Sequence, residues 1–313
     1  MFEPSLHSPS ELHIPECPPA GEGCHRWMFL AVNILVDAGL DRDDVVAWVE
    51  HWMTRAAQPR EIENTYQRVK HGGERRESVP RHDQDPAAIA ALTVQGPTQI
   101  EEIEEMSPVN PRDVGTDDFL NVLFAGGQKT ILFTNERSQG QLVWSNATPR
   151  GMADKLTQHN TVGAWFLLNP VNGERTYIER LRKVSRRSEE NLTNYTYALV
   201  ESDKIATPIW LTILKQLPLP IVSIVLSGNE SAHSIVQIQA RDREKWLERV
   251  RALAEQVIPL GACQGSLTAV RLTRLPNTVR KDTGKEQRLL YLNPTPLLKP
   301  LSEQRNSLKL VNR

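Results

Sequence analysis

Apolar residues recur at helical spacing in the early part of the chain. One such stripe ends at Gly39, a favourable residue after a helix, and Asp41 then offers a cap for a second helix. A third stripe with the same period follows Pro59. The pattern predicts a small all-α domain over residues 23–71, preceded by an extended lead-in over residues 1–22.

A polar stretch punctuated by Gly and Pro follows the predicted helices. Residues 72–96 therefore read as a linker, with a helical turn at residues 87–92. Beyond the linker, helical stretches alternate with short apolar runs that have the composition of strands. Residues 97–313 are therefore predicted to form one domain that contains both helices and strands.

Three predicted strands bring polar side chains together. They are Tyr195–Asp203, Ile221–Leu226 and Ser231–Gln239, with a glycine turn between the second and the third. Because side chains alternate along a strand, Glu201 and Asp203 are expected to share one face, as are Ser231 and His233. Two carboxylates, a serine and a histidine on one sheet surface would suit a divalent cation and a triphosphate.

Composition narrows the class of protein without naming a ligand. The chain has 313 residues, 39% hydrophobic and 24% charged, which is typical of a soluble protein with two domains. A net charge of −1 gives no global sign of nucleic-acid binding. No membrane span or signal peptide is predicted, and three cysteines make no disulfide framework, so a cytoplasmic location is expected.

Local basic clusters are the candidates for nucleic-acid contact. One lies within residues 177–187, and a run of this kind is either a solvated surface or a track for a template. The other is the tail from residue 271, with ten Lys or Arg against three Asp or Glu. The predicted nucleic-acid-binding residues are Arg182, Lys183, Arg186, Arg187, Arg280 and Lys281.

Two other motifs invite a reading as binding sites. Cys17 and Cys24 lie near His13 and His25, but their spacing departs from that of structural zinc sites, so free thiols in an extended segment are the simpler interpretation. The stretch 125–130 (AGGQKT) lacks the first glycine of a phosphate-binding loop and leads into an apolar β-like run. A hairpin turn is therefore expected there.

Five segments in a fixed order carry a family resemblance. They are Trp165–Gly173 (WFLLNPVNG), Asn191–Asp203 (NLTNYTYALVESD), Ser227–His233 (SGNESAH), Arg271–Arg280 (RLTRLPNTVR) and Lys285–Leu290 (KEQRLL). With these segments the chain resembles the archaeo-eukaryotic primase (primase-polymerase) superfamily, in its plasmid and phage branch. The helical residues 23–71 are similar to the small accessory domain that accompanies many such primases.

The resemblance implies synthesis or extension of a primer on single-stranded DNA during replication of a mobile element. Glu201 and Asp203 would hold Mg²⁺ or Mn²⁺, and His233 would be a third catalytic residue beside them. A separate replicative helicase is an implied partner. The implied residues for binding the nucleoside triphosphate are Ser227, Ser231, His233, Arg271 and Arg274.

The chain departs from the family pattern in its acidic residues. Relatives carry a third acid shortly before the RLxRLP segment, and in this chain Cys263 stands at that position. Cysteine is a poor ligand for magnesium. Glu230 adds a negative charge beside the expected triphosphate, and Asn277 replaces the usual glycine after Pro276.

These departures leave two functional hypotheses. The first is an active primase-polymerase that completes its metal shell with substrate or water. The second is a catalytically degenerate relative that binds nucleic acid or nucleotide within a replication or defence system. In either case the resemblance implies an α+β fold, with an antiparallel sheet like that of the RNA recognition motif over residues 191–293. Helices would cover one side of it, and residues 107–173 would form a flanking part.

Overall fold

The computed structural model describes residues 8–20, 23–70, 82–124, 127–133, 141–144, 164–178, 183–229, 231–280 and 283–304. The chain divides into two compact units. The first comprises Met1–Glu77 with Ile178–Lys183, and the second comprises Ser78–Tyr177 with Val184–Arg313. None of the helices in the described ranges is long and apolar enough to cross a membrane.

Three helices dominate the first unit, at the places that the apolar spacing predicts. They are α1 (Cys24–Asp37), α2 (Arg42–Trp52) and α3 (Glu61–Lys70). Their core is built around Trp27 and Trp48, whose rings stack with centroids 6.2 Å apart. The side chain of Asp41 caps α2, as expected, by accepting hydrogen bonds from two backbone N–H groups of its first turn.

The thiols of the first unit lie close together. The Sγ atoms of Cys17 and Cys24 are 3.7 Å apart, and both contact the hydroxyl of Thr54. The His25 ring instead faces Glu61, with Nδ1 3.1 Å from Oε1. Both cysteines are free thiols.

The second unit mixes helices with short strands. In chain order the elements are α4 (Pro86–Leu92), α5 (Ile100–Met106), α6 (Thr116–Leu123), β1 (Lys129–Phe133), β2 (Gln141–Trp144), β3 (Trp165–Leu167), β4 (Thr176–Ile178), β5 (Lys183–Ser185), β6 (Tyr195–Glu201), α7 (Thr207–Gln216), β7 (Ile221–Leu226), β8 (Ala232–Ala240), α8 (Arg243–Val257), β9 (Leu272–Arg274), β10 (Thr278–Val279), β11 (Glu286–Gln287) and β12 (Leu289–Leu292).

Two antiparallel sheets of four strands organise this unit. The main sheet has the order β12-β7-β8-β6, and the flanking sheet has the order β2-β1-β3-β9. Helices with antiparallel sheets confirm the α+β class, whereas the likeness of the main sheet to an RNA recognition motif stays a prediction. The stretch 125–130 leads into β1, a strand and not a helix, although residues 125 and 126 lie outside the described residues.

The two faces of the main sheet pack against different partners. Along β6, Ala198 and Val200 belong to the core that holds Trp210 of α7 and Trp246 of α8. The alternate residues Tyr197 and Leu199 belong to a second core, which contains residues of α6 and of β1 and β3 in the flanking sheet. Helices therefore cover one side of the main sheet, and Glu201, which continues the Tyr197–Leu199 face, points to the other side.

Asn169 fastens the end of the flanking part to the main sheet. Its Oδ1 accepts hydrogen bonds from the backbone N–H groups of Thr196 and Tyr197, both at 2.8 Å. Its Nδ2 donates to the carbonyl oxygens of Tyr197 and Ala269, both at 3.0 Å. The bonded backbone lies at an irregularity in the pairing of β6 with β8, so this buried amide replaces sheet bonds that the bulge interrupts.

Three sequence-based boundaries differ from the structure. Strand β6 ends at Glu201, because the Ser202 hydroxyl bonds the N–H groups of Lys204 and Ile205 and turns the chain towards α7. Strand β8 begins at Ala232, one residue later than predicted. Helix α4 lies inside the predicted linker 72–96, yet its apolar residues pack against the core of the second unit.

The predicted extent of the sheet is also wrong in one respect. Strand β9, within residues 191–293, joins the flanking sheet, where Trp165, Phe166 and Leu167 pair with Arg274, Thr273 and Leu272. The periodicity of the local sequence does not predict that β9 pairs with β3. Consequently the Arg271–Arg274 segment faces the main sheet from a neighbouring sheet.

Candidate functional site

A cavity of about 360 Å³ opens where the end of β6 and the start of β8 meet β9. Its size falls in the lower part of the range for small-molecule sites, roughly 300–1,000 Å³. The described residues that line it are Trp165, Arg187, Glu201, Asp203, Asn229, Ser231, His233, Arg271, Leu272, Arg274 and Arg280.

Glu201 and His233 form the floor of this cavity as direct neighbours on adjacent strands. They are paired across β6 and β8, which brings His233 Nε2 to 3.0 Å from Glu201 Oε2. The other ring nitrogen of His233 lies 3.1 Å from the Thr273 hydroxyl on β9. The histidine therefore ties the carboxylate of one sheet to a strand of the other.

Arg271 occupies the second oxygen of the same carboxylate. Its guanidinium forms an ion pair with Glu201 Oε1, and it also donates to the Gly265 carbonyl at 3.3 Å. Both oxygens of Glu201 thus have a cationic or hydrogen-bonding partner. The buried Nε of Arg271 has no hydrogen-bond partner within the described residues.

The pKa of Glu201 is lowered by its two partners, His233 and Arg271. Burial of the side chain would raise the pKa, but the hydrogen bond and charge of His233, together with the charge of Arg271, lower it to about 2. Glu201 is therefore ionised across the neutral range. Its negative charge is compensated by protein groups.

Asp203 lies in the turn after β6 and contacts Cys263. The Cys263 Sγ is 3.7 Å from Asp203 Oδ2 and 3.3 Å from the Asp203 backbone nitrogen. The backbone N–H of Cys263 donates to the Glu201 carbonyl at 2.8 Å, which fixes the two segments side by side. Burial, and then the negative charges of Asp203 and Glu201, raise the pKa of the thiol, so Cys263 is protonated at neutral pH.

This donor set does not make a preformed site for Mg²⁺ or Mn²⁺. Glu201 has both oxygens engaged, and the neighbour of Asp203 is a protonated thiol, which hard cations bind poorly. Over the described ranges, no group of three or more His, Cys, Asp or Glu side chains is arranged to hold a metal ion. The assignment of Glu201 and Asp203 as metal ligands stays a prediction.

Arg274 is held in a buried setting that the sequence did not reveal. Its guanidinium stacks on the Trp165 ring, 4.5 Å from the centroid, and donates to Gln287 Oε1 at 3.1 Å. Gln287 is fully buried, and its Nε2 donates to the carbonyls of Ala164 and Leu275 and to the Thr278 hydroxyl. No pattern in the sequence predicts that Gln287 binds the Arg274 guanidinium. Nor does any pattern predict that the Trp165 ring stacks on that guanidinium.

The turn between β7 and β8 contributes Asn229 and Ser231. The Ser231 hydroxyl donates to that of Ser227 at 3.2 Å, and Ser227 is outside the set of described residues that line the cavity. Gly228 has a left-handed backbone with φ of 71°, and a β-carbon there would lie only 2.9 Å from the Lys285 carbonyl oxygen. The turn therefore requires glycine. Glu230 lies outside the described residues.

The predicted nucleic-acid-binding residues divide into three groups. Arg187 and Arg280 line the cavity, and Arg187 Nε donates to the Val270 carbonyl at 3.3 Å. Arg186 is half-buried nearby in sequence, and Lys183 is exposed and belongs to the first unit. Arg182 and Lys281 lie outside the described residues.

Positive charge dominates the cavity. Its described lining contains four arginines and two carboxylates, and one of these carboxylates is already paired with Arg271 and His233. Guanidinium groups suit phosphate because their forked N–H groups match its oxygens. The arrangement is therefore suited to a ligand with several negative charges.

Comparison with known proteins gives one structural similarity. The chain is similar to the AEP domain of the primase-polymerase (PrimPol) of cyanophage S-2L, with 16% sequence identity and a TM-score of 0.40. The similarity covers 60% of this chain and 92% of that domain. No family model and no curated protein matches the chain.

Proposed function

We propose that this chain is a primase-polymerase-like protein whose cavity binds a nucleoside triphosphate by its phosphates, beside a single-stranded DNA template. The observation that carries the proposal is the convergence of the segments with the family resemblance. Trp165, Glu201 with Asp203, His233, and Arg271 with Arg274 and Arg280 come from four of the five segments, yet all line one cavity. Gln287 of the fifth segment is outside the set of described residues that line the cavity, but its side chain accepts a hydrogen bond from Arg274, which is one of them.

The charges around the cavity support phosphate as the part of the ligand that is bound. Four arginines line the cavity. Asn229 and Ser231, from the turn between β7 and β8, add neutral hydrogen-bonding groups to the lining. Arg187 and Arg280 are the residues that could continue the positive surface towards a nucleic acid backbone, which needs only clustered cations. We place the template there, with Arg182 and Lys281 as further candidates.

The geometry favours a version in which nucleotide is bound without transfer. The Glu201 carboxylate is engaged by Arg271 and His233, and a protonated thiol stands where relatives carry an acid. A second version, metal-dependent nucleotidyl transfer on single-stranded DNA, is favoured by a different observation. Glu201, Asp203 and His233 all line the same cavity and have the residue types that this chemistry uses.

Two assays on the same preparation test the proposal. The first measures binding of ribo- and deoxynucleoside triphosphates by calorimetry, and the second measures incorporation of labelled nucleotide on primed and unprimed single-stranded DNA with Mg²⁺ or Mn²⁺. We expect binding, and we expect Arg274→Gln to weaken it about tenfold or more because a charge-assisted hydrogen bond is lost. Arg112→Gln is the matched control, since Arg112 pairs with Glu104 and is not among the described residues that line the cavity.

The outcomes separate the versions. Binding without incorporation supports the binding version. Incorporation that disappears in Glu201→Gln and Asp203→Asn supports the enzyme instead. Absence of nucleotide binding under all of these conditions overturns the proposed function in both versions.

A further inference from the structure

The ion pair between Arg271 and Glu201 determines whether a divalent cation is needed between the Glu201 carboxylate and the phosphates of a nucleotide. Nucleotide-binding sites with free carboxylates need a cation between the carboxylates and the phosphates, because like charges repel at close range. In this cavity the buried Glu201, only 3% exposed, has Arg271 on one oxygen and His233 on the other. The guanidinium thus stands at the position on the carboxylate that a cation would take.

The second carboxylate has, among the described residues, no set of partners that would recruit a cation. Asp203 is exposed, and its close neighbour on the other segment is the Cys263 thiol, 3.7 Å away. A soft sulfur atom beside a single carboxylate is a weak environment for a hard divalent ion.

Three further arginines line the cavity in addition to Arg271, where phosphates would contact them directly: Arg187, Arg274 and Arg280. Arg274 is fixed by the Trp165 ring and by Gln287, so little side-chain entropy is lost when it binds an anion.

We propose that the cavity binds the phosphates of a nucleotide without a divalent cation, with Arg271 acting as the permanent counter-ion of Glu201. This inference rests on the proposed function and makes it more specific. It also separates the roles of the two carboxylates. Glu201 positions Arg271, whereas Asp203, which forms no ion pair within the described ranges, is a negative charge that opposes the phosphates.

The test is calorimetric titration of the full chain with ATP at constant ionic strength, in EDTA and in Mg²⁺. We expect dissociation constants that agree within about threefold between the two buffers, since no ion is part of the site. In EDTA, Arg271→Gln should weaken binding about tenfold or more, and Arg271→Lys should fall between that variant and the wild type. Arg112→Gln should bind like the wild type.

Asp203→Asn gives the sharpest contrast. Removal of a repelling charge should leave binding in EDTA as tight as in the wild type or tighter, whereas loss of a metal ligand would weaken binding in Mg²⁺. Each variant is first checked for a wild-type unfolding transition, so that loss of structure is not read as loss of binding.

The result that overturns the inference is distinct from one that overturns the proposed function. Binding in Mg²⁺ that EDTA abolishes, together with weaker binding by Asp203→Asn, contradicts metal-free binding and leaves the proposed function standing. Absence of ATP binding in both buffers contradicts both.

Discussion

Glu201 shows how a residue with the sequence pattern of a metal ligand can have both carboxylate oxygens engaged by protein groups in the fold. The E-x-D pattern at a strand end predicts that its carboxylate points to the same side as that of Asp203, and it lines the cavity together with Asp203. The pattern could not predict that Arg271 would lie against it, because the short strand that follows Arg271 joins a different sheet from β6. The pairing depends on how β9 docks, which local spacing does not encode.

The ionisation of Glu201 makes the stability of the second unit depend on acid pH. Its pKa falls from the ordinary 4.5 to about 2 on folding, so the unfolded state binds more protons in between. The resulting stabilisation is fully present above pH 4.5 and is lost as the pH falls towards 2. We expect Glu201→Gln to be less stable than the wild type near neutral pH, with a difference that shrinks on acidification.

The measurement is urea denaturation of both proteins at a series of pH values. Over this window the wild type should lose up to about 1.4 kcal/mol per pH unit more than the variant does. Glu61 of the first unit also has a pKa of about 2, but it is present in both proteins and cancels in the comparison. Parallel pH profiles would contradict this role of Glu201.

Cys263 is the residue at which the departure from the family pattern is most informative. Its contact with Asp203 follows from backbone pairing of residue 263 with residue 201. We expect Cys263→Asp to place a second carboxylate against Asp203 and so to create a cation site. Mn²⁺ should then raise the melting temperature of this variant by about 5 °C or more and leave the wild type unchanged.

The neutral variant Cys263→Asn is the control for the added charge. It should show no Mn²⁺-dependent shift in a thermal-unfolding assay. An equal shift in the wild type would mean that Glu201 and Asp203 already bind the ion.

At the scale of elements, the sequence predicts what depends on short-range pattern. Helices α1 to α3 and α8 and strands β6 to β8 lie close to their predicted positions because apolar period and caps determine them. The features that the sequence does not predict depend on contacts between residues that lie far apart in the chain. The helical turn expected within the linker is present as α4, but its packing is not predictable from local pattern, because its contacts are with α7, more than a hundred residues away, through Gln216 and Leu92.

Asn277 illustrates a departure from the family pattern that the fold tolerates. Its backbone is left-handed, with φ of 63°, a conformation that asparagine adopts more readily than most residues. Its Nδ2 donates to the Val114 carbonyl at 2.8 Å, a bond that glycine could not make. The replacement of glycine is therefore compensated locally.

Asn169 is the element-scale feature whose loss should be most costly. Three hydrogen bonds of one fully buried amide hold β6 to the flanking part, and a fourth joins the amide to the Ala269 carbonyl. We expect Asn169→Leu to lower the free energy of unfolding by about 3–5 kcal/mol, because several buried backbone groups lose their partners. Chemical denaturation followed by fluorescence measures this.

The matched control is Asn172→Ala, which removes a half-buried asparagine that bonds the Glu174 N–H. It should cost about 1 kcal/mol. Similar losses for both variants would show that Asn169 does not have the central role assigned to it.

At the scale of the whole molecule, the sequence predicts the order of the parts and not their assembly. The succession of helices and strands follows from the pattern and the antiparallel pairing from the family resemblance, whereas the division of the strands between two sheets follows from neither. The cavity exists because residues from both sheets meet at the end of β6. Its function as a nucleotide-binding site is the central claim.

The most direct test of that claim is hydrogen–deuterium exchange of the full chain with and without saturating ATP. Binding in the cavity should slow amide exchange in peptides covering residues 199–203, 227–233 and 271–280, and Arg271→Gln should reduce this protection at the same ATP concentration. Protection confined to other segments, or none at a concentration that saturates calorimetric binding, would contradict the claim.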